Sequence, residues 1–242
     1  MTGRQLSHKI AAFAVVTSAL LSNFVAPVAL ANPLAQTDRE IAIWFHERLT
    51  PASVRALQLL SDFGCAMWVG VVLLVVTLLC AWKRRWITLA MLIAAVPGGM
   101  LLNEWMKILV HRPRPFVQGP FVDWSGYSFA SGHAIGATLL YGQLLLFVLP
   151  ALKTRHARLL CIFGGVTLVV LVGFSRVALG AHFLSDVLGA IVLGMVWLAL
   201  CARVGSFMRR RHEPSQPMMI VAMRAGDEPL EFRQATRFER PA

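Results

Sequence analysis

Charge is what this chain has least of. Of its 242 residues only 14% are Asp, Glu, Lys or Arg, against 57% hydrophobic, a balance that excludes a soluble globular domain. Acidic residues are the scarcer sign, 12 against 23 Lys and Arg. They form no cluster of carboxylates suited to magnesium, and no cofactor is expected. Cysteine is equally sparse. Cys65, Cys80, Cys161 and Cys201 show no CxxC and no Cys/His ligand spacing, which argues against zinc or a disulfide framework and leaves them as core filler. No basic run is interleaved with aromatic residues, so the formal charge of +11 does not describe a nucleic-acid surface. No repeat of fixed period is visible, and no gap between apolar runs would hold a soluble catalytic domain.

What is present in quantity is long apolar sequence. The first run, Ile10 to Ala31, follows Arg4 and Lys9, and at about 1.5 Å per residue it reaches roughly 33 Å, enough to cross a bilayer core. It ends in Ala29-Leu30-Ala31, the small-x-small pattern of a signal peptidase site, but its length favours a retained first helix. Five more runs follow: Met67 to Trp82, Trp86 to Trp105, His133 to Leu152, Leu159 to Val177 and Phe183 to Val204. Between the first two, Thr50-Pro51 suits a helix cap and first helical residue. Trp44 and Phe45 form an aromatic cluster, and Val54, Leu57 and Leu60 recur at helical spacing. The expected fold is therefore an all-α polytopic membrane bundle of six transmembrane helices, with short interfacial helices between the first and second. A membrane-integral domain over residues 1–204 would precede a disordered tail, 205–242, that opens with Arg209-Arg210-Arg211.

Lys and Arg set the orientation, because cytoplasmic loops carry an excess of them. With both termini in the cytoplasm, Lys83 to Arg85, Lys153 to Arg158 and the tail arginines lie inside. Three clusters then share the opposite, outer face: Lys107 to Pro115, Ala130 to His133 and Ser175 to Asp186. Each has an ordinary reading alone. Lys107 and Arg114 would serve as interfacial cations, Ser131 as an N-cap, His133 as a helix-start histidine, and His182 with Asp186 as a structural pair. Together they place three cations, Lys107, Arg114 and Arg176, beside a Ser, the Gly132 amide and two histidines, a set that suits a phosphate. The i, i+4 spacing of His182 and Asp186 would let the carboxylate reach one imidazole nitrogen and leave the other free to attack.

Lys107-x6-Arg114-Pro115, Ser131-Gly132-His133 and Ser175-Arg176-x5-His182-x3-Asp186 resemble the three-part signature of the type 2 phosphatidic acid phosphatase family. The sequence departs from that pattern at Ala130, where the family usually has Pro. The resemblance implies a membrane-integral lipid phosphate phosphatase, independent of metal. His182 would attack phosphorus to form a phosphohistidine, with Asp186 orienting its ring. His133 would protonate the leaving oxygen and then activate water. Lys107, Arg114, Ser131, Gly132 and Arg176 would bind the non-bridging oxygens. The implied partners are the bilayer and a phosphorylated lipid: undecaprenyl pyrophosphate, phosphatidylglycerol phosphate, phosphatidic acid or a lipid A. The implied location is a bacterial-type inner membrane, with the site facing the periplasm or exterior.

Glu104, one turn before Lys107, is open to two readings: a supporting residue paired with Lys107, or a carboxylate that only points to the polar interface. His111 and Arg112 are open to two readings, contact with a second phosphate or headgroup, or solvated loop residues. Asp123, Trp124 and Tyr127 would shape the intervening loop. Two other functions fit the same residues: a phosphotransferase that passes phosphate from the histidine to a second lipid, and a non-enzymatic lipid-phosphate or anion transporter.

Overall fold

The computed structural model describes residues 33–116 and 126–212. The expected first span at 10–31, Asp123 and Trp124, and the tail beyond residue 212 lie outside the described residues. Those described are all helix and connection, without a strand: α1 (Ala35–His46), α2 (Pro51–Asp62), α3 (Ala66–Trp82), α4 (Trp86–Val110), α5 (Gly132–Val148) with a 3-10 turn at Leu149–Ala151, α6 (Arg155–Ala178) and α7 (Leu184–His212). Five stretches are long and apolar enough to cross a membrane, Pro51–Trp82, Trp86–Val110, Gly132–Ala151, Arg155–Ala178 and Leu184–Met208. These are the last five of the six expected spans. The final helix runs on past Val204 to His212.

Local chemistry explains the boundaries. Thr50 caps α2 as its sequence suggested: its hydroxyl accepts from the Ser53 N–H, the Ser53 hydroxyl accepts from the Thr50 N–H, and Pro51 opens the helix. α1 and α2 are twelve residues each, too short to span, and match the expected pair of short helices before the second run. α4 closes on His111, whose φ of 48° places it in the left-handed region, where His is more at ease than most residues. Its N–H donates to the Lys107 carbonyl at 3.1 Å, and the cap turns the chain sharply into Arg112-Pro113-Arg114.

The interior is apolar, and so is much of the outer surface of the spans. Leu92, Met106, Ile135, Leu139, Leu140 and Leu193, from α4, α5 and α7, are sealed at the centre. Trp197 fastens α7 to α4 by donating to the Ala94 and Ala95 carbonyls at 3.2 and 3.1 Å. In contrast, α3 and α6 expose Leu74, Leu78, Leu160 and Phe163, the arrangement expected of lipid-facing helices. The α2–α3 turn needs Gly64. A Cβ there would lie 2.6 Å from Val172 and 2.7 Å from the His133 carbonyl, so only glycine lets this turn pack against α6 and the first turn of α5.

Candidate active site

The three clusters meet where α4 and α6 end and α5 and α7 begin. Gly180, at φ +69°, makes the turn out of α6 and delivers His182 to the centre. The Ala181 and His182 N–H groups both donate to the Arg176 carbonyl, at 3.1 and 3.3 Å. His182 is 3% exposed. Its Nδ1 lies 2.7 Å from the Ser128 carbonyl oxygen, which can only accept, so Nδ1 carries the proton and the neutral ring keeps its lone pair on Nε2. Nε2 in turn lies 3.5 Å from the Arg114 guanidinium. Burial, then the Arg114 and Arg176 cations, push the His182 pKa well below the ordinary histidine value, and the Ser128 carbonyl opposes them only in part.

Asp186 does not hold His182 in the way its spacing suggested. Oδ2 stands 4.0 Å from Nδ1, beyond hydrogen-bonding range. The reason is that α7 starts at Leu184, so His182 precedes the helix and i, i+4 geometry does not apply. Instead the carboxylate folds back on the helix start, where Oδ2 accepts from the Phe183 N–H at 2.9 Å and the Ser128 hydroxyl at 2.5 Å. Ser128 thus occupies the expected orienting position with its carbonyl and ties its hydroxyl to Asp186.

The other Asp186 oxygen accepts from Arg112 at 2.5 Å. Arg112 is not a solvated loop residue. Its guanidinium also donates to Ser185 at 2.7 Å and to Asp38 at 2.8 Å, and it lies 4.4 Å above the Phe183 ring. Asp38, from α1, further accepts from the Ser185 N–H at 3.0 Å and the Ser185 hydroxyl at 2.5 Å. Burial alone would raise the Asp38 pKa. The bonds from Ser185 and Arg112 outweigh it and hold the carboxyl below its usual value. His111, the αL cap, sets its ring 4.5 Å from that of Tyr127.

The remaining predicted residues surround this core. Arg114 is fixed by the Gly126 carbonyl at 3.1 Å and the Ala181 carbonyl at 2.9 Å, and burial lowers its pKa more than Asp186 restores it. Arg176, 4% exposed, donates to the Ser61 hydroxyl at 2.8 Å. Lys107 pairs with Glu104 at 2.7 Å, as their spacing suggested. Ser131 stands at the N-cap position of α5, yet its hydroxyl makes no capping bond and, although fully buried, has no hydrogen-bond partner among the described residues. Its N–H reaches the Asp186 carbonyl at 3.4 Å. Gly132 and His133 form the first turn of α5, beside Lys107.

Sequence reasoning missed Asp38, Ser61, Asn103, Ser128 and Ser185. Asp38 had a usable signal, a carboxylate on an otherwise amphipathic helix, and so did Asn103, an amide in an apolar run four residues before Lys107. Ser128 had none, because its contribution is partly a backbone carbonyl.

The sequence profile of the PAP2 superfamily matches residues 86–210, which contain all three clusters. Phosphatidylglycerophosphatase B of Bacillus subtilis (strain 168) is 38% identical over 117 residues, 48% of this chain and 56% of that protein. Undecaprenyl-diphosphatase BcrC of the same organism is 30% identical over 127 residues, 49% of this chain and 59% of that one. The aligned segments thus span little more than half of each of these relatives. The crystal structure of a transmembrane PAP2 type phosphatidylglycerolphosphate phosphatase from Bacillus subtilis superimposes with a TM-score of 0.67 at 27% identity, covering 79% of this chain and 95% of that one.

Proposed function

Since this chain belongs to the PAP2 superfamily, we propose that it hydrolyses the terminal phosphate of a membrane lipid through a phosphohistidine on His182. The observation that carries the reading is the 2.7 Å contact of Nδ1 with the Ser128 carbonyl. It leaves the Nε2 lone pair beside the Arg114 guanidinium, where a phosphate would be drawn. Nε2 attacks phosphorus and the bond to the lipid oxygen breaks. His133 gives that oxygen its proton. Water then attacks phosphorus, His133 takes a proton from it, and the P–N bond breaks to release orthophosphate. Lys107, Arg114, Arg176, Ser131 and the Gly132 amide hold the non-bridging oxygens throughout. Asp186, 4.0 Å from Nδ1, stabilises the positive ring of the intermediate without bonding to it.

Phosphatidylglycerol phosphate is the first substrate to test, because both the 38% identical relative and the superimposed crystal structure are named for it. Undecaprenyl pyrophosphate is the second, on the likeness to the diphosphatase. The Lys and Arg distribution supports a site on the outer or periplasmic face of the membrane with both termini in the cytoplasm.

Phosphate release by the detergent-solubilised protein, with chelator present, tests this on a panel that adds phosphatidic acid and a lipid A phosphate. The expected result is release from at least one lipid, lost in His182→Ala. Equal release by both proteins would overturn it. So would label passing to a second lipid instead of water, or lipid-phosphate flux that survives His182→Ala.

A further inference from the structure

The buried face of α4 presents Leu102, Asn103, Met106 and Val110. An apolar side chain would pack at position 103 as its neighbours do. The amide found there is fully buried, and neither its Nδ2 nor its Oδ1 has a hydrogen-bond partner among the described residues. Buried amides left unmatched destabilise a fold, so native proteins keep them chiefly where something outside the chain completes them.

What would complete this one follows from its surroundings. Asn103 lies one helical turn before Lys107, on the same face of α4. A Cβ at Gly132 would stand 3.7 Å from Asn103 Nδ2 and 3.7 Å from Lys107 Nζ, so amide and ammonium border the same small space over the first turn of α5. The Ser131 hydroxyl next to it is likewise buried and unmatched. Gly132 leaves that space without a side chain. An ammonium and an amide N–H around one gap, with a buried unmatched hydroxyl on the adjoining residue, suit a ligand rich in acceptors, and a phosphate oxygen offers several lone pairs.

We propose that Asn103 is a further phosphate-binding residue, its side-chain N–H donating to a non-bridging oxygen beside Lys107 and Ser131. The inference rests on the reading of this site as one that takes a lipid phosphate. Lys107, Arg114 and Arg176 already supply positive charge, and Asn103 adds a directed bond without adding more. Its place beside Gly132 ties the deeper part of α4 to the same oxygens that the signature residues hold.

Equilibrium binding of inorganic phosphate and of orthovanadate to the whole detergent-solubilised protein, followed by thermal shift, tests this without requiring turnover. Asn103→Leu is expected to weaken binding of both anions about tenfold, the size of one hydrogen bond to a charged group, with the unliganded melting temperature held or raised. Asn103→Asp, which when ionised can only accept, is expected to weaken it further and carries the test should the Leu variant not fold. Gly132→Ala adds a methyl in ordinary contact, so it is expected to fold normally and still bind less. Binding by Asn103→Leu equal to wild type would overturn the inference and leave the proposed hydrolase standing. Failure of the wild-type protein to bind either anion would overturn both.

Discussion

Two walls of the same site treat their polar groups in opposite ways. On one, Asp38, Arg112, Ser185, Ser128 and Asp186 form a closed network in which each carboxylate oxygen has a donor. On the other, the Asn103 amide and the Ser131 hydroxyl are just as buried and have no partners among the described residues. The difference separates holding from waiting. A satisfied network of buried charges fixes geometry, whereas unmatched donors beside a lysine are positioned for something that arrives from outside. His182 stands between, tied by Nδ1 to Ser128 on the first wall and turning Nε2 toward Arg114.

The comparison breaks most visibly at Arg112. Arg112→Ala leaves Asp38 and Asp186 buried without their cation, and by the usual cost of stranding a buried charge it is expected to destabilise the protein by about 3–5 kcal/mol. Asp38→Asn should cost less, because Arg112 keeps Asp186. Thermal melts of both variants in one detergent check the order, and an Arg112→Ala as stable as wild type would remove the distinction between the walls.

Ser131→Ala sharpens it from the other side. Removing a hydroxyl that bonds to none of the described residues should leave the melting temperature unchanged or raise it, while kcat/KM falls by about tenfold, as expected for one lost bond to a charged oxygen. A variant that melts lower with full activity would place Ser131 in the holding wall. Glu104→Gln should have the smallest effect. The Lys107–Glu104 pair is half open to solvent, its Glu side chain 59% exposed, and surface pairs contribute little. A rise in KM of about twofold to threefold with kcat unchanged is expected in steady-state kinetics.

Legibility in the sequence followed the same division. The five described spans were readable because each is a long apolar run, and the signature residues declared themselves as costly charges in fixed spacing. Lys107, Arg114, His133, Arg176 and His182 all come to one place. The holding wall was mostly hidden. Asp38 and Arg112 are 74 residues apart, and no local pattern announces an ion pair between a short helix and a loop. The expected bond of Asp186 to His182 failed on a boundary two residues late, since i, i+4 reasoning requires both residues to be inside the helix. Ser128 was beyond reach for a different reason: a main-chain carbonyl has no signature in side-chain chemistry.

The measurement that bears most directly on His182 is a rapid acid or base quench of the protein with lipid labelled in its terminal phosphate. A base-stable, acid-labile label on Nε2 of His182, absent from His182→Ala, is the predicted result. Label on another residue, or continued release of phosphate by His182→Ala, would contradict the assignment of His182 as the nucleophile.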